Sequence, residues 1–277
     1  MNIEIMELEE SRCRFLLKDA SHSDANALRR ALISDIPKMA IDQVEFHLGP
    51  IMADGKEYES ITPLFDEIVA HRLGQVPIPT DMELMTFRED CVCEGEGCPN
   101  CIVMYSLNKI GPCTVYSGDL IPLGNDAFKV EDTLIPIVDL GDGQAILIYA
   151  IAEMGTGRRH VKWQATTGVG YKYQPIVEID ESLCDQGMQC VNGCPRKVFD
   201  EVDGKPFPAR LEDCTLCNTC AEECDQQAIT VRSDQRSFVF GLETDGSMTS
   251  AKALEAALAS LEAGFEEFSE MVSELQA

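Results

Sequence analysis

Seven cysteines fall between positions 184 and 224, at intervals that leave this stretch little freedom in how it folds. The later run reads Cys214-x2-Cys217-x2-Cys220-x3-Cys224, and the earlier one reads Cys184-x5-Cys190-x3-Cys194-Pro195. A cysteine at position 187 would make the two runs identical in spacing, but the residue there is Gly187.

Two-residue gaps in a tight loop bring three sulfurs to one side of an iron–sulfur cluster, and the fourth cysteine, followed by Pro, reaches across to the other cluster. The stretch thus reads as a bacterial-type two-cluster ferredoxin module with one ligand missing. On that exchange Cys194, Cys214, Cys217 and Cys220 form a complete set for one [4Fe-4S] cluster. Cys184, Cys190 and Cys224 form an incomplete set. Three thiolates suit a [3Fe-4S] cluster, a labile four-iron cluster with a non-protein ligand, or an empty site. Zinc favours separated pairs of ligands, and disulfides need an oxidising compartment.

The 277 residues suffice for two or three compact units. A hydrophobic share of 45% is enough for cores of ordinary composition. The net charge of −26 would repel phosphate backbones, so direct binding to nucleic acid is not expected. It favours basic partners. The acidic N-terminus lacks the pattern of a signal peptide, and the longest apolar run, residues 145–152, is too short to span a membrane. Thirteen cysteines with no export signal point to reduced thiols in the cytoplasm.

The chain opens on an alternating pattern (Ile3, Ile5, Leu8, then Arg12 to Leu17) that predicts a β-hairpin. Ser21 and Ser23 offer caps for a helix with Ala25, Leu28, Leu32 and Ile36 on one face, stopped by Pro37. A strand is expected over 41–48, a turn at Asp54-Gly55, and a helix over 63–73 with Leu64, Ile68 and Val69 inward. Short strands and turn residues fill 105–149. Strands at 176–179 and 238–242 bracket the cysteine module, as suits an insert whose ends lie close together. At the C-terminal end Leu254, Leu258, Leu261, Phe265, Phe268, Val272 and Leu275 alternate gaps of four and three, a heptad seam capped by Thr249 or Ser250. Such a seam serves either a partner helix or docking on the chain's own domain.

A second cysteine pattern, Cys91-x-Cys93-x4-Cys98-x2-Cys101, contains Gly95 and Gly97 for sharp turns. Four thiolates so close suit structural zinc, with free thiols or a redox pair as alternatives. Cys13 and Cys113 read as core cysteines. His22, His47, His71 and His160 have no partners at metal-ligand spacing. The segment Gly155-Thr156-Gly157-Arg158-Arg159-His160-Val161-Lys162-Trp163 reads as a basic docking loop rather than a phosphate loop. No nucleophile–base pair or catalytic carboxylate pair is evident, so no catalytic residue is expected.

Several segments together resemble a known family. Asn26-Ala27-Leu28-Arg29-Arg30-Ala31-Leu32-Ile33-Ser34-Asp35-Ile36-Pro37 resembles the dimerisation helix of the RNA polymerase α-type subunits. Asp66-Glu67-Ile68-Val69-Ala70-His71-Arg72-Leu73-Gly74 resembles the helix that follows it. The Met154-Gly155-Thr156-Gly157-Arg158 loop and Phe240-Gly241-Leu242-Glu243-Thr244-Asp245-Gly246 resemble further elements of the archaeal and eukaryotic members. With the ferredoxin-like insert, the chain resembles the archaeal D-type family of α-like subunits of DNA-directed RNA polymerase.

That resemblance implies an α+β fold. A split dimerisation domain would comprise 1–39, 169–180 and 235–277, with an inserted α/β domain over 40–168 carrying the 91–101 loop and a ferredoxin-like iron–sulfur domain over 181–234. It implies a non-catalytic assembly platform that pairs with the small subunit L, joins small subunits N and P, and nucleates the large catalytic subunits. Leu28 and Leu32 with Leu254, Leu258, Leu261, Phe265 and Phe268 would then form the partner interface. The basic loop would face a large subunit, and the 91–101 cysteines would correspond to a zinc loop. The clusters would be mainly structural, with redox tuning of assembly as an addition. The alternative, suggested by the cysteine module taken alone, is a ferredoxin-type electron-transfer subunit of an oxidoreductase.

Overall fold

The computed structural model describes residues 1–53 and 55–275. In order, these form β1 (Asn2–Leu8), β2 (Arg12–Lys18), α1 (His22–Ser34), β3 (Lys38–Phe46), β4 (Pro50–Ala53), β5 (Lys56–Ser60), α2 (Asp66–Gly74), β6 (Ile102–Ile110), β7 (Cys113–Tyr116), β8 (Ile121–Pro122), β9 (Pro136–Leu140), β10 (Gln144–Gly155), β11 (Thr166–Ile179), α3 (Gln189–Gly193), β12 (Phe199–Val202), β13 (Lys205–Pro208), α4 (Thr219–Glu222), β14 (Ile229–Thr244) and α5 (Ser250–Glu274). The α+β class expected from the sequence is the one observed. The chain divides into two compact units. One contains Met1–Leu8, Cys13–Arg29 and Gly170–Gly241. The other contains Glu9–Arg12, Arg30–Val169 and the chain from Leu242.

The sheet ordered β1-β2-β14-β11 frames the first unit. The expected hairpin is present, with Asn2 opposite Lys18 and Leu8 opposite Cys13. β2 buries Cys13, Phe15, Leu16 and Leu17, whereas β1 is an edge strand that leaves Ile5 and Leu8 exposed. Phe15 stacks on Phe240 with ring centroids 4.9 Å apart, and Tyr173 lies 5.1 Å from Phe238. Such aromatic pairs contribute about 0.5–1.5 kcal/mol each beyond their buried area. α1 begins at a reciprocal cap. The Ser21 N–H donates to Asp24 Oδ2 (2.8 Å) and the Asp24 N–H donates to Ser21 Oγ (3.2 Å), which satisfies two helix-end donors. The strand segments expected at 176–179 and 238–242 are parts of β11 and β14, and the Asp180 N–H to Ala228 carbonyl bond (2.8 Å) closes the base of the cysteine module between them.

The second unit centres on β10, which pairs antiparallel with β3 on one side and β6 on the other. Its apolar run is buried at Ala145, Ile146, Ile148, Ala150, Ala152 and Met154 because a central strand is covered along most of its length. Three sequence expectations shift here. The strand expected over 41–48 runs Lys38–Phe46, and the helix expected over 63–73 runs Asp66–Gly74. In that helical register Val69 and Leu73, four residues apart, face the core, while Ile68 is 42% exposed rather than inward. Of the turn expected at Asp54-Gly55, Gly55 has a positive φ of 72°; Asp54 lies outside the described residues.

α5 is capped by Thr249, whose Oγ1 accepts the Lys252 N–H at 3.3 Å. Ser250 Oγ donates to the Glu9 carbonyl (2.6 Å) and the Ser250 N–H to the Glu10 carbonyl (2.7 Å), anchoring the helix start. No described helix is long and apolar enough to cross a membrane.

Candidate functional site

The loop from Cys91 to Cys101 gathers its four sulfurs. Cys91 Sγ lies 3.5 Å from Cys98 Sγ, Cys93 Sγ lies 3.6 Å from Cys101 Sγ, and Cys98 and Cys101 are 4.0 Å apart. Among the described residues, this is the set of His, Cys, Asp and Glu ligand atoms that closes to within 4.8 Å. The chain achieves this closeness by turning at positive φ three times, 55° at Glu94, 84° at Gly95 and 97° at Gly97, the two glycines taking theirs without a Cβ clash. The Glu94 N–H donates to the Cys91 carbonyl and the Cys101 N–H to the Cys98 carbonyl, both at 2.9 Å. The Gly97 N–H beside Cys93 brings its thiol down to about 6, whereas burial pushes Cys101 up to about 12. Four sulfurs so placed could hold a metal ion.

This loop is tied to β10. Arg88 Nε donates to the Gly95 carbonyl (2.8 Å), and Arg88 Nη1 lies 3.4 Å from Glu153 Oε2. Glu153 is buried, and its other oxygen accepts from Arg159 Nη1 at 2.9 Å. The indole N–H of Trp163 donates to the Glu153 carbonyl (3.1 Å), and the Arg159 guanidinium lies 4.6 Å from the centre of that ring. The cations read as a docking surface are therefore paired within the chain. Arg158 makes a bidentate bond to Asp35 (2.6 and 2.9 Å), Arg159 holds Glu153, and Lys162 contacts Asp42. Asp35 and Asp42 lie more than a hundred residues away in sequence, which is why Arg158 and Lys162 read as unpaired cations there.

Of the seven later cysteines, Cys190, Cys214 and Cys220 are buried. Burial raises the Cys220 thiol to about 11, and the charges of Cys214, Cys194 and Cys217 add to the shift. Burial likewise raises Cys190, with added contributions from Cys184 and Cys224. Cys194, Cys214, Cys217 and Cys220 line one pocket, walled by Val177, Val198, Phe199 and Val231. The Val198 N–H donates to Cys194 Sγ and the Ala228 N–H to Cys224 Sγ, each at 3.4 Å. Non-glycine residues take left-handed φ at Gln186 (60°), Met188 (59°), Leu216 (59°) and Asn218 (62°). Each costs about 1–2 kcal/mol, a pattern that clusters where function dictates backbone shape. None of the thirteen cysteines is in a disulfide. Cys13 is buried, as expected, and Cys113 is half-buried against the core.

The seam residues divide. Leu28, Leu32 and Leu254 are buried within the chain, Leu258 and Leu261 are half-buried, and Phe265 and Phe268 are 68% and 60% exposed. Met271 and Leu275 continue the exposed stretch. Sequence reasoning missed the Arg88–Glu153 link, which has no local signal.

The fold and this half-free helix place the chain in a class of subunit-pairing proteins. Residues 14–265 match the profile of the RNA polymerase Rpb3/Rpb11 dimerisation domain, and the chain belongs to that family. It is 41% identical over 274 residues to the DNA-directed RNA polymerase subunit Rpo3 of Picrophilus torridus, a match covering 98% of this chain and all of that one. The Rpo3 subunit of Thermoplasma volcanium is 42% identical over 259 residues, covering 93% of this chain and 94% of that one. That of Archaeoglobus fulgidus is 35% identical over 274 residues, covering 99% and 98%.

Proposed function

We propose that this chain is the assembly platform of an archaeal DNA-directed RNA polymerase, the place held by Rpo3 among its relatives. The observation that carries this reading is the exposed half of α5, where Phe265, Phe268 and Met271 stand free on a 25-residue helix and Leu275 follows at its end. A seam with half its apolar residues in water gains by burying them against a partner helix. The partner is the small α-like subunit L. The paired subunits then recruit small subunits N and P and the large catalytic subunits. Leu28, Leu32 and Leu254 support the interface from within the chain. The electron-carrier alternative has no support, because the family match spans 14–265 rather than the cysteine module alone.

The metal centres staple the scaffold. Tetrahedral zinc with bonds of about 2.3 Å places its sulfurs about 3.8 Å apart, and the 3.5–4.0 Å spacings of Cys91, Cys93, Cys98 and Cys101 fit that ion. The wider grouping of Cys194, Cys214, Cys217 and Cys220 around one apolar-walled pocket fits a [4Fe-4S] cluster. Cys184, Cys190 and Cys224 hold a second cluster. Bound metal links backbone segments remote in sequence and adds its binding free energy to folding. This fits a structural role for the clusters, with their redox state as an added influence on assembly. The site is cytoplasmic, where thiols stay reduced.

The test is co-expression with subunit L. The wild-type chain is expected to co-purify as a one-to-one pair. The double variant Phe265→Asp with Phe268→Asp should stay folded and lose the partner. Retention of subunit L by that variant would overturn the assignment of the interface.

A further inference from the structure

The two cysteine runs are copies offset by thirty residues, which aligns Cys184 with Cys214, Cys190 with Cys220, Cys194 with Cys224 and Gly187 with Cys217. The backbone repeats with them. Gln186 and Met188 flank position 187 at φ 60° and 59°, as Leu216 and Asn218 flank position 217 at 59° and 62°. The Val191 N–H donates to the Met188 carbonyl (3.1 Å), as the Ala221 N–H does to the Asn218 carbonyl (2.9 Å). The first loop therefore keeps the shape of a ligating loop without its second cysteine.

The surroundings of the gap differ from those of the complete loop. In the complete loop, Thr219 Oγ1 donates to Cys217 Sγ at 3.4 Å. The residue aligned with Thr219 is Gln189, whose longer side chain turns back over Gly187. A Cβ at position 187 would meet Gln189 Cδ and Nε2 at 2.9 Å, with Oε1 nearer still. The carboxamide thus stands where a ligating side chain would leave the backbone. Position 187 and Cys217 are both exposed, so the two places are equally open. Asp185 is a nearby oxygen donor whose Oδ1 is engaged by the Gly187 N–H at 3.0 Å, and Gln186, which lines one cavity with Cys184, is another.

We infer that Gln189 is the fourth protein ligand of the first set, its carboxamide oxygen standing in for the missing thiolate beside Cys184, Cys190 and Cys224. This rests on the iron–sulfur reading above. An oxygen donor holds iron less firmly than a thiolate does, so the iron at this corner is the exchangeable one.

The experiment uses the full chain purified anaerobically, with iron analysis, Mössbauer and electron paramagnetic resonance spectra before and after one equivalent of ferricyanide. The wild-type first set should hold four irons. Gln189→Ala should lose about one iron per chain and gain a three-iron signal. Gln189→Glu should keep four irons, and Gly187→Cys should keep four and resist ferricyanide. The complete set, followed through loss of its signal in Cys217→Ser, is the internal reference. If it is loaded while Gln189→Ala matches the wild type, the assignment to Gln189 fails. Iron loss in Asp185→Ala but not in Gln189→Ala overturns it in favour of the carboxylate. A wild-type first set that is empty or already three-iron overturns it as well. Absence of iron from both sets would instead overturn the iron–sulfur reading beneath it.

Discussion

Arg88 Nη1 and Glu153 Oε2 meet at 3.4 Å, joining the four-cysteine loop to the central strand of its unit. The carboxylate is buried and shared with Arg159, so losing one cation leaves the other in place. Arg88→Ala should therefore cost about 1.5–3 kcal/mol, the range for hydrogen bonds to charged groups, rather than the full penalty of an orphaned buried charge. The urea midpoint should fall, and zinc should pass faster to a chelator. An unchanged chelation rate would show that Arg88 does not hold the loop.

Gly97 sits at φ 97°, and a Cβ there would lie 3.1 Å from Ile102 Cδ1. Gly97→Ala is expected to cost about 1–2 kcal/mol in backbone strain and to lower zinc content per chain. Metal analysis on protein purified without added zinc reads this directly.

The two cysteine sets should respond unequally. Cys217→Ser removes a thiolate from the complete set and should abolish that set's share of the four-iron signal and open the insert to protease. Cys184→Ser acts on a set that already lacks a thiolate and should do much less. Equal protease sensitivity in the two variants would contradict this.

The cap of α1 has a pH signature. The Ser21 N–H and Oγ hold the Asp24 carboxyl below its ordinary value of 3.8. A carboxyl lowered on folding contributes stability that is complete above its unfolded value and is lost as pH falls through the lower folded one. Ser21→Ala should cost about 1 kcal/mol near neutrality, and the difference from wild type should shrink in acid below the ordinary carboxylate range. Denaturation at pH 7 and in that acid range compares the two.

The two halves of the seam should separate stability from pairing. Leu254→Ala, at a buried site, should cost about 2–5 kcal/mol. Phe265→Ala, at an exposed site, should change the stability of the isolated chain by less than about 0.5 kcal/mol while weakening retention of subunit L. Thermal melts and co-purification on the same preparations distinguish these effects.

Much of the candidate chemistry was legible because metal ligands in tight loops are set by local spacing. The four cysteines of 91–101 converge as the short gaps and two glycines demand. The N-terminal hairpin and the cap at Ser21 were legible for the same local reason. On α2 the inward place of Val69 was legible, whereas Ile68, expected beside it, turns out to solvent.

The sequence by itself determined which side chains carry chemistry: the cysteine combs, the heptad seam and the cations of the Gly155–Lys162 loop. Only the tertiary structure decided which of them remain available. It buries Leu254 and leaves Phe265 free, pairs Arg158 with Asp35 across 123 residues, and brings Gln189 over Gly187. Ligand spacing is a property of a few consecutive backbone angles. Burial and ion pairing depend on groups that only the folded chain brings within reach.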